Sequence, residues 1–398
     1  MAFLFRAATK PVDRKLRRGY RWIDERTGST ELLHSGLYEA VPSKGSWAYT
    51  LGSAVLILII LQLFTGIFLL LEYVPSFNEA WASLNYLRHN DRFGDWVRGM
   101  HLWGAYTLIL VTGLHMLRTF ISASYKRPRE LNWVTGAILF FLILALAITG
   151  AMLPMDNAAY WTTVVVTNIP HYIPFIGDGI RTLWRGGEFV GPITLTRTFA
   201  IHIWILPFLL FGLIGAHLFL LRRHAEFGSW ANYDTETDEP EREISERIQR
   251  AEPPYPAIRT ERRWAAPAQV TDFFPYQVFK DTVVSIGLVA LVFIQGFITG
   301  APLDEKADPA TLTYTPVPEW FFLPLDQLLL LSPSTWLIFI GAVLILAIAT
   351  VFFVCLPWLD RSSERAPLRR PEILIPALFA VFMVVFLTLL GTNRLYNL

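Results

Sequence analysis

The stretch from Arg98 to Arg118, RGMHLWGAYTLILVTGLHMLR, is apolar and long enough to cross a bilayer, yet it holds two histidines, His101 and His115. A second run, TRTFAIHIWILPFLLFGLIGAHLFLLRR, repeats the design with His202 and His217. Ionisable residues in a membrane helix are costly and signal function. A fourteen-residue spacing rises about 21 Å along a helix and a fifteen-residue spacing about 22 Å. At about 100° per residue, the two partners in each run sit roughly 40° and 60° apart around the axis, one in each leaflet. Pro207 lies between His202 and His217, where a kink absorbs the poorer angle of the longer spacing. Two such helices side by side present two layers of paired imidazoles, an ordinary way to hold a low-spin haem for electron transfer. A lone intramembrane histidine is more simply a hydrogen-bonded packing residue, but two pairs at near-equal spacing argue for a shared ligand. Metal transport also uses histidine, usually with carboxylates nearby, and these two runs have none.

With 53% hydrophobic residues and a mean hydropathy of +0.41, the chain reads as an integral membrane protein rather than a soluble one. Its single cysteine, Cys355, sits in an apolar run, so neither an internal disulfide nor a CxxCH haem attachment exists. Haem held here is therefore expected to be non-covalent. The basic N-terminus has no apolar h-region close behind it, and no cleaved signal peptide is expected.

The pattern predicts an all-α integral membrane protein: a four-helix haem-binding bundle (spans one to four) followed by three further transmembrane helices. The spans are expected near Trp47–Leu71, Gly99–Ile121, Trp133–Leu153, Phe199–Leu221, Val278–Thr299, Thr335–Trp358 and Ile373–Leu390. Lys and Arg favour one set of alternate loops by roughly three to one, which puts the N-terminus inside and the C-terminus outside. Spans two and four then run in the same direction. His101 pairs with His202 near the outer face and His115 with His217 near the inner face, the two levels roughly 20 Å apart. Residues 1–46 form a basic cytoplasmic segment whose pattern suits either an interfacial helix or a solvated tail. Residues 47–223 form the bundle, with an outer loop at 154–198 that reads as short amphipathic helices. Residues 224–272 read as a charged, Pro-rich cytoplasmic linker, and 273–398 as the three-helix part.

Gly52 and Gly66 in span one, and Gly136 and Gly150 in span three, repeat the fourteen-residue interval of the first histidine pair. Small residues at that interval either let a haem plane approach or pack helix against helix. The loop TPVPEWFFLPLDQLL, residues 315–329, surrounds one acid, Glu319, with aromatics and prolines. A carboxylate in such a pocket has a raised proton affinity and can take a proton from a hydroxyl. On its own, the motif would equally read as an aromatic interfacial anchor.

Together these residues resemble the cytochrome b family of the quinol–cytochrome c and plastoquinol–plastocyanin oxidoreductases. The resemblance runs from about Tyr20 to Leu390. It rests on the four histidines, the two glycine pairs, the Arg98 segment, TLTRTFAIHIWILP at 194–207 and PEWF at 318–321, where the family usually has PEWY. KRPRELNWVTG at 126–136, the spacing of the second histidine pair and the seven spans lean towards the chloroplast-type branch, as if its two separate chains were fused. Thr50 stands where that branch has a haem-tethering cysteine, so a third haem would be untethered.

The resemblance implies a quinol-site domain in 273–398. It implies two haem b groups, the low-potential one on His101 and His202 and the high-potential one on His115 and His217. Arg98 and Arg118 become candidates for propionates, and Gly52, Gly66, Gly136 and Gly150 candidates for the haem faces. It implies an outer quinol site of Pro318, Glu319, Trp320, Phe321 and Tyr160, with Glu319 as proton acceptor, and an inner quinone site near Arg222. Met155, Ala158, Thr162 and Phe321 depart from the family's usual outer pocket. The implied activity is bifurcated quinol oxidation coupled to proton translocation across a bacterial cytoplasmic or intracytoplasmic membrane. The implied partners are a Rieske-type iron–sulfur protein, a c-type cytochrome, quinone, lipid and a second copy of the complex, with no nucleic acid. Two rivals share some of these features: a dihaem membrane anchor of a dehydrogenase or hydrogenase, and a haem-free histidine-based transporter.

Overall fold

The computed structural model describes residues 11–28, 40–42, 47–223, 270–311, 314, 317–332 and 334–396. Seven helices are long and apolar enough to cross a membrane: Trp47–Glu72, Arg92–Ile121, Glu130–Ala151, Pro192–Arg223, Phe273–Thr299, Trp336–Val354 and Pro371–Thr392. They are the seven expected. Large side chains remain on their surfaces, with Phe208 80% and Phe297 75% exposed, as suits helices whose outer faces meet lipid rather than water.

Spans two and four start furthest ahead of the hydropathy reading, each by seven residues, from 99 to 92 and from 199 to 192. Span two begins at Arg92 because the Asp91 side chain accepts from Phe93 N at 3.0 Å and caps a polar first turn that an apolar window cannot see. Span four begins at Pro192, whose missing N–H costs nothing in a first turn. That span also contains a π-helical turn, Ile201–Ile205, just before Pro207. A π turn takes up one extra residue, so fifteen residues from His202 to His217 span the angle of fourteen in a regular helix. This brings span four into the register of span two. The π turn, rather than a simple proline kink, reconciles the two spacings.

Among the described residues, those within 1–50 and 226–284 group in one compact unit, and those within 51–225 and 285–398 in the other. The first contains a helix, Pro11–Thr27, within the basic N-terminal segment. It also contains the departure from an all-helical chain, a short antiparallel pair of β1 (Ala40–Pro42) and β2 (Val270–Asp272). Most of the expected linker, residues 224–269, lies outside the described residues, as does much of 1–46.

In the second unit, span one packs on span two and span three on span four. The expected loop helices form as Asn157–Asn168 and Gly177–Arg185. Span five lies against span two at a glycine pair. A Cβ at Gly99 would sit 2.6 Å from Gly296 O, and one at Gly296 would sit 2.7 Å from Met100 N. Nearby, Trp103 Nε1 donates to Gly300 O at 3.0 Å, and Arg98 donates to Ala301 O and Pro302 O at 3.0 and 2.7 Å.

At the opposite end, Asp360, between spans six and seven, is buried among donors. Lys126 Nζ lies 2.9 Å from Oδ1 and Arg370 Nη1 3.0 Å from Oδ2, and the Tyr125 hydroxyl also donates to Oδ2. Burial alone would raise the carboxyl's proton affinity. Hydrogen bonds from Tyr125, Lys126 and Arg370 outweigh it and hold the group below the usual carboxylate range. Removing one partner of such a cluster strands buried charge, so Asp360→Ala is expected to destabilise the chain by about 3–5 kcal/mol. Denaturant or thermal unfolding in detergent micelles measures this, and a loss under about 1 kcal/mol would class the cluster with weak surface pairs.

Candidate functional site

Three of the four histidines have their ring orientation set by a threonine. Thr65 Oγ1 lies 2.9 Å from His101 Nδ1, Thr149 Oγ1 3.1 Å from His202 Nδ1, and Thr135 Oγ1 2.9 Å from His217 Nδ1. Each hydroxyl has one proton, and each already donates it to its own helix: Thr65 to Leu61 O at 2.8 Å, Thr149 to Ala145 O at 2.7 Å and Thr135 to Asn132 O at 3.0 Å. The hydroxyl can then only accept from the imidazole. Nδ1 carries the proton in all three, and Nε2 keeps its lone pair for a ligand. This is the arrangement that orients a metal-binding histidine from its far side. His115 differs: the glycine it faces, Gly52, is preceded by Leu51 where the other three follow threonine.

The four glycines lie where the spacing put them, and what they make room for is imidazole. A Cβ at Gly66 would be 3.2 Å from His101 Cε1, at Gly150 2.9 Å from His202 Cε1, at Gly52 3.3 Å from His115 Cε1, and at Gly136 3.2 Å from His217 Cε1. Span one thus carries both glycines that face the span-two histidines, and span three both that face the span-four histidines. Across the bundle His101 interacts electrostatically with His202, and His115 with His217. Unprotonated Nε2 atoms and rings seated against glycine fit a haem held by two imidazoles at each level.

Glu319 precedes the turn Trp320–Phe322 and the helix Leu323–Leu330. The Tyr106 hydroxyl, from span two, donates to its carboxylate. The Tyr106 ring meets Phe321 edge-on at 5.8 Å and Trp103 at 5.4 Å, and Trp320 meets Phe321 at 5.3 Å. Burial pushes the Glu319 carboxyl above the usual carboxylate range, the Tyr106 hydrogen bond draws it back, and the charge of Asp156 adds to the rise. Asp156 is itself buried, clamped by Ala159 N at 2.8 Å and Asp304 N at 3.0 Å. Sequence reasoning missed both groups. Tyr106 shows only as one phenol in an apolar run, and Asp156 as an ordinary loop acid.

A family model described as "Cytochrome b/b6/petB" matches residues 37–225, and one described as "Cytochrome b(C-terminal)/b6/petD" matches residues 306–397. The menaquinol:cytochrome c reductase cytochrome b subunit of Bacillus subtilis (strain 168) is 40% identical over 217 residues, 52% of this chain and 97% of that protein. The chain belongs to the cytochrome b/b6 family. Cytochrome b6 of Synechococcus sp. (strain JA-3-3Ab) is 36% identical over 209 residues, again 52% of this chain and 97% of that protein. A solved structure, "Hyperthermophilic respiratory Complex III", superposes with a TM-score of 0.76 at 26% identity, covering 94% of this chain and 91% of its own. In this cytochrome b the two family modules occur in one polypeptide, and the curated relatives align to about half of it.

The remaining candidates are placed as follows. Arg98 is buried and braces the 301–302 turn, an engagement not foreseen for a propionate partner. Arg118, one turn past His115, acts electrostatically on that ring. Arg222 is exposed at the end of span four. Tyr160 is buried on the 157–168 helix, edge-on to Trp161 at 5.3 Å. Pro318 is half-buried and Trp320 is 40% exposed. Thr50 is buried, its hydroxyl donating to Trp47 O at 2.6 Å.

Proposed function

We propose that this chain is the dihaem cytochrome b subunit of a quinol:cytochrome c type oxidoreductase. The observation that carries the reading is the threonine-fixed tautomer, which leaves Nε2 open on His101, His202 and His217 at two levels of one bundle. His101 and His202 hold one haem b, and His115 and His217 the other, both without covalent attachment. Haem bound there supplies one-electron carriage along the bundle. Glu319, on the loop between spans five and six, accepts a proton from the quinol hydroxyl, in a pocket that Phe321, Trp320, Pro318 and Tyr160 line and keep apolar.

The distribution of Lys and Arg supports a cytoplasmic N-terminus, with Glu319, His101 and His202 on the outer side. Quinol oxidised there releases its protons outside. A quinone reduced near Arg222 takes protons up from inside. One quinol electron would leave to a Rieske-type iron–sulfur protein and onward to a c-type cytochrome, and the other would enter the bundle in which His101, His202, His115 and His217 would hold haem. The complex is a homodimer in this reading.

Haem extraction with acidic acetone from the purified complex, followed by pyridine adduct spectra, is expected to give two haem b per chain, with quinol-driven reduction of cytochrome c in the same preparation. Two haems without turnover in the complete complex would favour the dihaem anchor. No haem in intact, active protein would favour the transporter.

A further inference from the structure

The side chain at 321, two residues from Glu319, is phenylalanine, so this loop offers Glu319 no hydroxyl there. The structure holds a phenol at the same place from another element: the Tyr106 hydroxyl donates to the Glu319 carboxylate while its ring packs edge-on against Phe321. Tyr106 lies in span two, five residues beyond His101, and its ring is held from behind by Trp103. Trp103 is in turn tied to Gly300 O across the span-two to span-five contact. The phenol is thus fixed by packing on one side and by the carboxylate on the other.

We propose that Tyr106 is a positioning residue for Glu319, supplying from span two the hydroxyl that Phe321 lacks and holding the carboxylate ionised and oriented toward its substrate. This rests on Glu319 acting as proton acceptor. A phenol donating to a carboxylate stabilises the charged form. Burial and the negative charge of Asp156 work the other way. Among the described residues, Tyr106 on span two and Asp156 before the 157–168 helix are the titratable groups that act on Glu319. Without the phenol, burial and the Asp156 charge act unopposed, and a larger fraction of Glu319 is protonated, and useless as a base, at any given pH.

The test is Tyr106→Phe in the complete complex, which keeps the ring and its aromatic contacts. The rate of quinol-to-cytochrome c turnover against pH is expected to show its acidic limb moved about one pH unit upward, a tenfold loss on the acidic side, with a smaller loss on the alkaline plateau and an unchanged haem count. Adding Phe321→Tyr is expected to draw the limb back. Infrared titration of the Glu319 carboxyl stretch in the oxidised complex reads the same shift without turnover. In a double-mutant cycle, Tyr106→Phe is expected to add almost nothing once Glu319→Gln is present. An unmoved limb, or fully additive losses, overturns the proposal. If Glu319→Gln alone leaves the rate unchanged, the proton-acceptor reading itself fails, a result distinct from a slow Glu319→Gln with an unmoved Tyr106→Phe limb.

Discussion

His101→Ala is expected to leave one extractable haem b per chain instead of two and to bring quinol-driven cytochrome c reduction below detection. In the proposed reading His101 is the haem ligand on span two at the Glu319 end, and its Thr65 contact and Gly66 seat shape the site around an imidazole. Alanine removes the imidazole and with it the nitrogen that would ligate. His115→Ala should remove the other haem, so the two variants should each retain the absorbance band that the other loses. Thr65→Val is the graded form: the ring remains but loses the partner that fixes its tautomer, and loss of such a partner typically weakens metal binding 10–100-fold. Retention of both haems by His101→Ala, seen in pyridine adduct spectra and redox difference spectra, would contradict the assignment.

Glu319→Gln should keep both haems and still slow quinol oxidation by about 10²–10⁴-fold, the usual contribution of a positioned base. The pH dependence has a definite sign. Burial lifts the proton affinity of Glu319 above that of a free carboxylate, and only the ionised form can accept a proton. Native turnover should therefore be flat above the raised value and fall as pH drops through it. The glutamine variant has no group to titrate and should be slow and flat across that window. Steady-state rates over a pH series distinguish the two, and a native-like acidic limb in the variant would move the base elsewhere.

Much of this was legible in the sequence because membrane spans are written in composition. The seven runs, the two histidine pairs and the matching glycines could be read as intervals, and the structure places glycine against imidazole at all four. What escaped were features that depend on contact across the chain. Asp360 meets Lys126 and Arg370 only after folding, and nothing local marks it. Tyr106 reaches Glu319 from more than two hundred residues away. The π turn at Ile201–Ile205 leaves a trace, fifteen residues where fourteen are wanted, but Pro207 accounts for that trace as readily, because a π turn has no residue signature of its own. The threonines were visible as Thr-Gly at 65–66, 135–136 and 149–150, yet a hydroxyl that donates to its own helix and accepts from a neighbour is recognised only once both distances are known.

The contacts that bind spans one to four to spans five to seven are direct. Gly99 touches Gly296, Arg98 and Trp103 hold the 300–302 turn, Asp156 holds Asp304, Trp133 Nε1 donates to Phe353 O at 2.8 Å, and Lys126 reaches Asp360. A ribosome that stopped after Arg223 and began again before Val270 would make two proteins carrying every one of these contacts. To these contacts, covalent continuity in this cytochrome b adds a matched supply: the two halves arrive in equal number and at the same moment.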